Sequence, residues 1–176
     1  MKIEDLKGRI RNIPDFPIKG VIFRDISTLI HDPEAYRFTI NHLHERYKDK
    51  DLDLLVGIES RGFIFGGALA DRLKIGFVPA RKPGKLPWET VEESYDLEYG
   101  KATLQIHADA IKKGQRVLIL DDLLATGGTL GATVKLVERL GGIIDEIAII
   151  IELTFLNGRS KLPGKNIYSL VRYDSE

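Results

Sequence analysis

Apolar positions along the chain recur at helical spacing in some stretches and run continuously in others, and the switches between them mark out elements. Ile3, Leu6, Ile10 and Ile13 keep a helical spacing that Pro14 ends, which predicts a short amphipathic helix packed on its own core or on a partner chain. Pro14 to Gly20 is turn-rich, and Val21 to Ile26 reads as a short extended piece. Asp32-Pro33 is a helix start, with the carboxylate as cap and proline at the first helical position. Tyr36, Ile40, Leu43 and Tyr47 give that helix its buried face. Leu52 to Ile58 predicts a strand, Phe63 to Leu73 a helix and Gly76 to Arg81 a further strand.

Periodicity then disappears from Lys82 to Asp96, before strand character returns at Leu97 to Gly100 and in the alternating Lys101 to His107. A long structureless excursion between two strands predicts a flap that closes over substrate, with a tolerated surface loop as the plainer alternative. Val117 to Leu120 is a short apolar run suited to a strand buried on both faces, with Asp121 and Asp122 at its carboxyl end. A helix with Leu130, Val134, Val137 and Leu140 on one face follows, capped by Gly141-Gly142. Ile143 to Ile151 is an apolar β-branched strand, 157–166 a polar loop, and Ile167 to Val171 a last strand. Strands alternating with helices predict an α/β fold, a doubly wound and mainly parallel sheet flanked by helices. The 176 residues are read as a single domain, 1–176, with a small N-terminal hood from about 1–30 and a flexible flap over about 82–98.

Composition narrows the function. Lys plus Arg equals Asp plus Glu at 26 each, so no global field recruits nucleic acid or a membrane, and any basic site is local. Without cysteine there are no disulfides, thiolate zinc sites or cysteine nucleophiles. The N-terminal stretch has no apolar core of signal-peptide length and no apolar run approaches a membrane span, so the expectation is a cytoplasmic protein. His42 and His44 sit two apart, point to different sides of their helix and cannot share a metal. They are read as solvated, and His31 and His107 are left unassigned. No metal site built from protein ligands is expected.

The chemistry concentrates in Arg116 to Gly131, RVLILDDLLATGGTLG. A strand, a small hydroxylated turn and a helix make an anion site, because the first helical amides lack internal partners and the dipole favours negative charge there. Glycines allow close backbone approach, and Thr126 and Thr129 add hydroxyl donors. The Gly-Lys-Ser/Thr ending of a nucleoside-triphosphate loop is missing. Two carboxylates beside an anion site conflict unless the ligand carries both a phosphate and vicinal hydroxyls. Amides then take the phosphate, and Asp121 and Asp122 accept hydrogen bonds from the sugar. Arg61, in a loop at the carboxyl end of its strand and beside Gly62, also suits an anion.

VLILDDLLATGGT resembles the phosphoribosyltransferase signature, in the form found in adenine phosphoribosyltransferases. FRDI, ESRGF, LEYGK and this segment stand in the family's order across nearly the whole chain. The resemblance implies transfer of ribose 5-phosphate from phosphoribosyl pyrophosphate (PRPP) to adenine, giving AMP and pyrophosphate, with Mg2+ held mainly through substrate oxygens. It implies that Ala125, Thr126, Gly127, Gly128 and Thr129 bind the 5-phosphate and that Asp121 and Asp122 orient the ribose. The Glu59-Ser60-Arg61 loop, Arg81, Lys82 and Lys85 would take the pyrophosphate, although Pro83 stands where a basic residue is expected. Phe23 and Leu153 would sandwich the base while the backbone beside Arg24 reads its edge. Glu98, with Tyr99 at the flap base, would relay a proton or hold the flap shut. Family members are generally homodimers, and the N-terminal helix and the 63–73 region are possible interface pieces. A 6-oxopurine enzyme of the same family would usually carry a lysine near ELTFL, which has none. A PRPP-binding regulator would add a DNA-binding domain that 176 residues leave no room for.

Overall fold

The computed structural model describes residues 1–97 and 100–175. A 3-10 helix, Ile3–Arg9, leads into the short strands β1 (Arg11–Ile13) and β2 (Phe23–Asp25) and the short helix α1 (Ser27–His31). Helix α2 (Pro33–Tyr47), strand β3 (Leu54–Ile58), helix α3 (Arg61–Leu73) and strand β4 (Gly76–Ala80) follow. Strands β5 (Thr90–Leu97) and β6 (Gly100–His107) precede β7 (Arg116–Leu124), helix α4 (Gly128–Arg139), β8 (Ile143–Leu153) and β9 (Ile167–Tyr173).

Five strands form one parallel sheet in the order β4-β3-β7-β8-β9. The strand after β3 pairs on one side of it and β7 on the other, so the chain reverses direction across the sheet between β3 and β7. Such a switch point opens a crevice at the carboxyl ends of the two strands. Alternation within the strands feeds two cores. Leu55, Leu118, Leu120 and Ala148 pack with Leu43 and Tyr47 of α2 and Phe65 and Leu69 of α3. Val56, Ile119, Ile147 and Ile149 pack on the other face with Leu130, Val134 and Val137 of α4 and with Leu104 and Ile106 of β6. Helices on both faces make the sheet doubly wound, as the alternation of elements implied.

Asp32 caps α2 as expected, accepting from the amides of Glu34 and Ala35 at 2.9 and 3.1 Å. Other expectations need correction. The N-terminal pattern is a 3-10 turn that stops at Arg9, and Ile13 belongs to β1, paired with Phe23 of β2 in a two-stranded antiparallel hood. The central strand runs on to Leu124, so Asp121 and Asp122 lie within β7 and not after it.

The stretch 82–96 is not structureless. Thr90–Leu97 pairs residue by residue with Gly100–His107 in an antiparallel ribbon, from Thr90 opposite His107 to Leu97 opposite Gly100. Its inward positions are Val91, Glu93 and Tyr95, and the charge in the middle hides the period of two. Glu93 is satisfied by α4, where Lys135 Nζ lies 2.9 Å from it and Arg139 adds a second ion pair. His42 is half-buried, not solvated: its Nε2 lies 2.6 Å from the Tyr168 hydroxyl, and the two rings stack. Burial and the nearby Arg46 lower its pKa. His44 is half-buried as well.

Candidate active site at the sheet switch point

A cleft of about 220 Å³ opens where β3 and β7 diverge. Ile58, Glu59 and Arg61 line one wall, and Asp121 through Leu130 form the floor and the other wall. The structure therefore brings together Arg61, both aspartates and the whole Ala125–Thr129 turn, which are far apart or merely adjacent in sequence.

Each group is placed by its element. Gly127, at φ +81°, turns the chain from β7 into α4 and serves as that helix's N-cap residue. The first turn of α4 holds no acidic side chain, so its positive end is left for a ligand. Arg61 starts α3, and Gly62 behind it lets that helix approach β7: a Cβ there would lie 3.0 Å from Asp121 Oδ1 and 3.2 Å from the Leu120 carbonyl oxygen. Arg61 Nε donates to Asp122 Oδ2. Burial alone would lower the Arg61 pKa, but Asp122 and then Asp121 outweigh it and hold it above the usual value.

The two acids differ. Both are nearly inaccessible, each 6% exposed. Burial, and after it the charge of Asp122, pushes the Asp121 carboxyl well above the ordinary carboxylate range. Asp121 Oδ1 accepts from the adjacent backbone amide of Asp122 at 2.9 Å. Asp122 is neutralised by Arg61. The acidic floor thus carries less net negative charge than two free carboxylates.

The remaining expected residues are placed less centrally. Glu59 is joined to Ser60 by a cis peptide and accepts from Arg81 Nε at 2.8 Å and from the Lys82 amide at 3.1 Å. Arg81 is thereby held against β3, while Lys82 and Lys85 are exposed and do not line the cleft. Ser60 is an exposed residue preceding α3. Phe23 is half-buried in the hood, its ring 5.2 Å from that of Phe16 in an edge contact. The Arg24 guanidinium lies 4.2 Å over the Tyr173 ring and donates to Asn12 Oδ1 at 2.6 Å. Leu153 ends β8, half-buried. Glu98 and Tyr99 lie outside the described residues.

Two contributors escaped the sequence reading. Tyr95 packs its ring on Gly128, where a Cβ would come 2.9 Å from Tyr95 Cδ2, and its hydroxyl accepts from Thr129 Oγ1 at 3.1 Å. Gly158 backs the turn from another side, and the Asn157-Gly158 dipeptide was the signal that could have marked a tight turn there.

Residues 30–170 match the phosphoribosyl transferase domain. The chain is 56% identical over 171 residues to the adenine phosphoribosyltransferase of Geotalea daltonii, covering 97% of this chain and all of that one. The crystal structure of adenine phosphoribosyltransferase from Thermoanaerobacter pseudethanolicus superposes with a TM-score of 0.94 at 53% identity, covering 98% of this chain and 100% of that one. The Saccharomyces cerevisiae enzyme, complexed with D-2,5-dideoxy-2,5-imino-altritol 1,6-bisphosphate and adenine, superposes at 0.90 and 40% identity over 96% of this chain and 97% of its own. Full-length identity of this order, together with the cleft at the switch point, means that the chain belongs to the phosphoribosyltransferase family, among the adenine phosphoribosyltransferases.

Proposed function

We propose that the switch-point cleft transfers ribose 5-phosphate from PRPP to N9 of adenine, releasing pyrophosphate and forming AMP. The observation that carries this reading is the convergence on one cleft of an anion-binding turn, two carboxylates and a guanidinium. A phosphate, sugar hydroxyls and a second anionic group on one ligand would satisfy all three.

The transition state of such a transfer resembles the sugar oxocarbenium of glycoside chemistry, with positive charge on the ring and negative charge on the leaving group. Positioning and electrostatics then do most of the catalysis, and no side-chain nucleophile is required. In this reading the amides and hydroxyls of Ala125 to Thr129 anchor the 5-phosphate. Asp122 and Asp121 accept from the ribose hydroxyls on the side where positive charge grows. Arg61 exchanges part of its bond with Asp122 for the pyrophosphate, with Ser60 beside it, and Arg81, Lys82 and Lys85 add positive charge from the loop after β4. Phe23 and Leu153 hold the two faces of adenine, a contact worth roughly 1–3 kcal/mol per stacked base. Glu98, with Tyr99 beside it in sequence, is assigned either the proton relay or the holding of the flap shut.

Mg2+ fits this site as a cation carried by the substrate. Among the described residues the acids lining the cleft are the buried pair, with Asp122 engaged by Arg61, and Glu59, engaged by Arg81. Among the described residues no group of three or more ligating side chains is gathered to cage a metal. Asp121 and Asp122 would therefore meet the ion through water or ribose oxygens, and the ion would neutralise the pyrophosphate as it leaves. A homodimer is proposed, with Ile64 of α3, 43% exposed, among the apolar residues that a second copy would cover. A cytoplasmic site of action is proposed too; no helix among the described residues is long and apolar enough to cross a membrane.

The test is AMP formation from adenine, PRPP and Mg2+, with hypoxanthine and guanine assayed separately. Adenine is expected to react and the 6-oxopurines to react far more slowly. Turnover of hypoxanthine at the adenine rate would overturn the base assignment, and no turnover with any base would overturn the reaction.

A further inference from the structure

Behind the turn that lines the cleft, a second backbone segment rests directly on it. A Cβ on Gly127 would come 2.3 Å from the Gly158 carbonyl oxygen. A Cβ on Gly158 would come 2.2 Å from the Ala125 carbonyl oxygen and 2.7 Å from Leu124 Cδ1. Two glycines therefore allow backbone to lie on backbone, and neither carbonyl can swing aside as the end of a flexible side chain would.

Gly158 is in turn held from behind. Asn157 precedes it in the left-handed region, at φ 51°. Arg159 follows it and grips Glu152 with both prongs of its guanidinium, Nε donating to Oε1 at 2.6 Å and Nη2 to Oε2 at 2.8 Å. Its Nη1 also donates to the Ile167 carbonyl oxygen at 3.3 Å, and Nη2 to Ser169 Oγ at 3.3 Å. The Glu152 side chain is 4% exposed and sits near the carboxyl end of β8, so the guanidinium is fastened to β8 and β9 together. A bidentate guanidinium fixes orientation as well as distance, which an ammonium cannot do. Gly158 and Arg159 line no part of the cleft. Amides aimed at an anion are effective only when their depth and direction are fixed before the ligand arrives.

We propose that Gly158 and Arg159 are positioning residues that hold the 125–129 turn at the depth its sugar phosphate requires, Arg159 acting through Gly158. This rests on the phosphate reading of that turn. Two variants of the full chain, Gly158→Ala and Arg159→Lys, test it by amide hydrogen exchange across 125–129 and by titration with ribose 5-phosphate and, separately, adenine. Faster exchange in the turn is expected in both. Ribose 5-phosphate should bind about tenfold or more weakly to Gly158→Ala and about threefold more weakly to Arg159→Lys, with adenine affinity changed by less than about twofold. Unchanged exchange and unchanged sugar-phosphate affinity would overturn the proposal. Parallel loss of both ligands would overturn it too, by reducing the contact to general stability. Should Gly158→Ala fail to fold, Arg159→Lys decides by the same readings. Failure of the unsubstituted chain to bind ribose 5-phosphate would overturn the phosphate reading itself, while exchange in the turn would still judge the brace.

Discussion

The two ends of the parallel sheet each carry a pair of neighbouring acids, and the pairs are treated in opposite ways. At the amino edge, Asp145 and Glu146 lie among Lys50, Arg116 and Arg46. Glu146 takes two bonds of 2.8 Å from Arg46 and one of 2.7 Å from the Tyr47 hydroxyl. Burial raises both acids, but these donors more than offset it and leave each below its ordinary pKa. At the carboxyl edge, burial wins for Asp121, and among the described residues one guanidinium serves both aspartates. Acids that hold the fold together are neutralised inside the protein. In the proposed function, the acids at the carboxyl edge are the ones that would meet a ligand, with Asp122 held by Arg61 until then.

The largest expected effect comes from removing the carboxyl-edge acid that Arg61 engages. Asp122→Ala should weaken donor binding and cut turnover by about 10² or more in steady-state kinetics. Near-normal activity would place Asp122 with the structural acids of the other edge. Arg46→Met should do the reverse. It strips a buried carboxylate of its bidentate partner, and since the guanidinium side chain is 36% exposed the loss should be about 1–3 kcal/mol rather than the full cost of a buried pair. Urea unfolding measures that loss, and kcat/KM of the folded fraction should not move.

Asp121→Asn sharpens the contrast further. A carboxyl whose folded pKa lies above its unfolded value destabilises the fold as pH rises through that interval, and the penalty is absent below the unfolded value. The amide should therefore raise Tm at neutral pH, by about 2–4 °C for each kcal/mol recovered, and lose that advantage toward pH 4, while turnover falls. A lower Tm at neutral pH would show that Asp121 is not held at a cost. The smallest effect belongs to Asp25 in the hood. The Ser27 hydroxyl and amide and the Arg11 guanidinium depress it to about 2, so its stabilisation is full above the unfolded value near 3.8 and fades as pH falls toward 2. Asp25→Asn should flatten that acid limb of the stability curve and leave the neutral region only slightly changed.

Much of this was legible in the chain. Asp32-Pro33 signals a helix start through local chemistry, and the run from Val117 to Thr129 carries its own strand, turn and helix. Local signals failed where a distant partner sets the outcome. Glu93 breaks the alternation of β5 because its inward charge is met by Lys135 and Arg139 of α4, 42 and 46 residues away. The strand β7 continues through Asp121 and Asp122 because β8 supplies paired backbone alongside, as in Asp121 opposite Ile149, and no periodicity in a pair of acids reveals that. His42 looked solvated because its partner, Tyr168, lies 126 residues on. Asn157-Gly158 could mark a turn, but its role as a brace was hidden for a related reason: what makes residue 158 glycine is the carbonyl of Ala125, in another part of the chain.

The central claim is that one cleft grips opposite parts of a single phosphorylated sugar, and a crystal structure of the chain with AMP tests it most directly. The account predicts the phosphate on the amides and hydroxyls of Thr126 to Thr129 and the ribose hydroxyls within hydrogen-bond distance of Asp121 and Asp122. A phosphate bound elsewhere, or hydroxyls turned away from both aspartates, would contradict it.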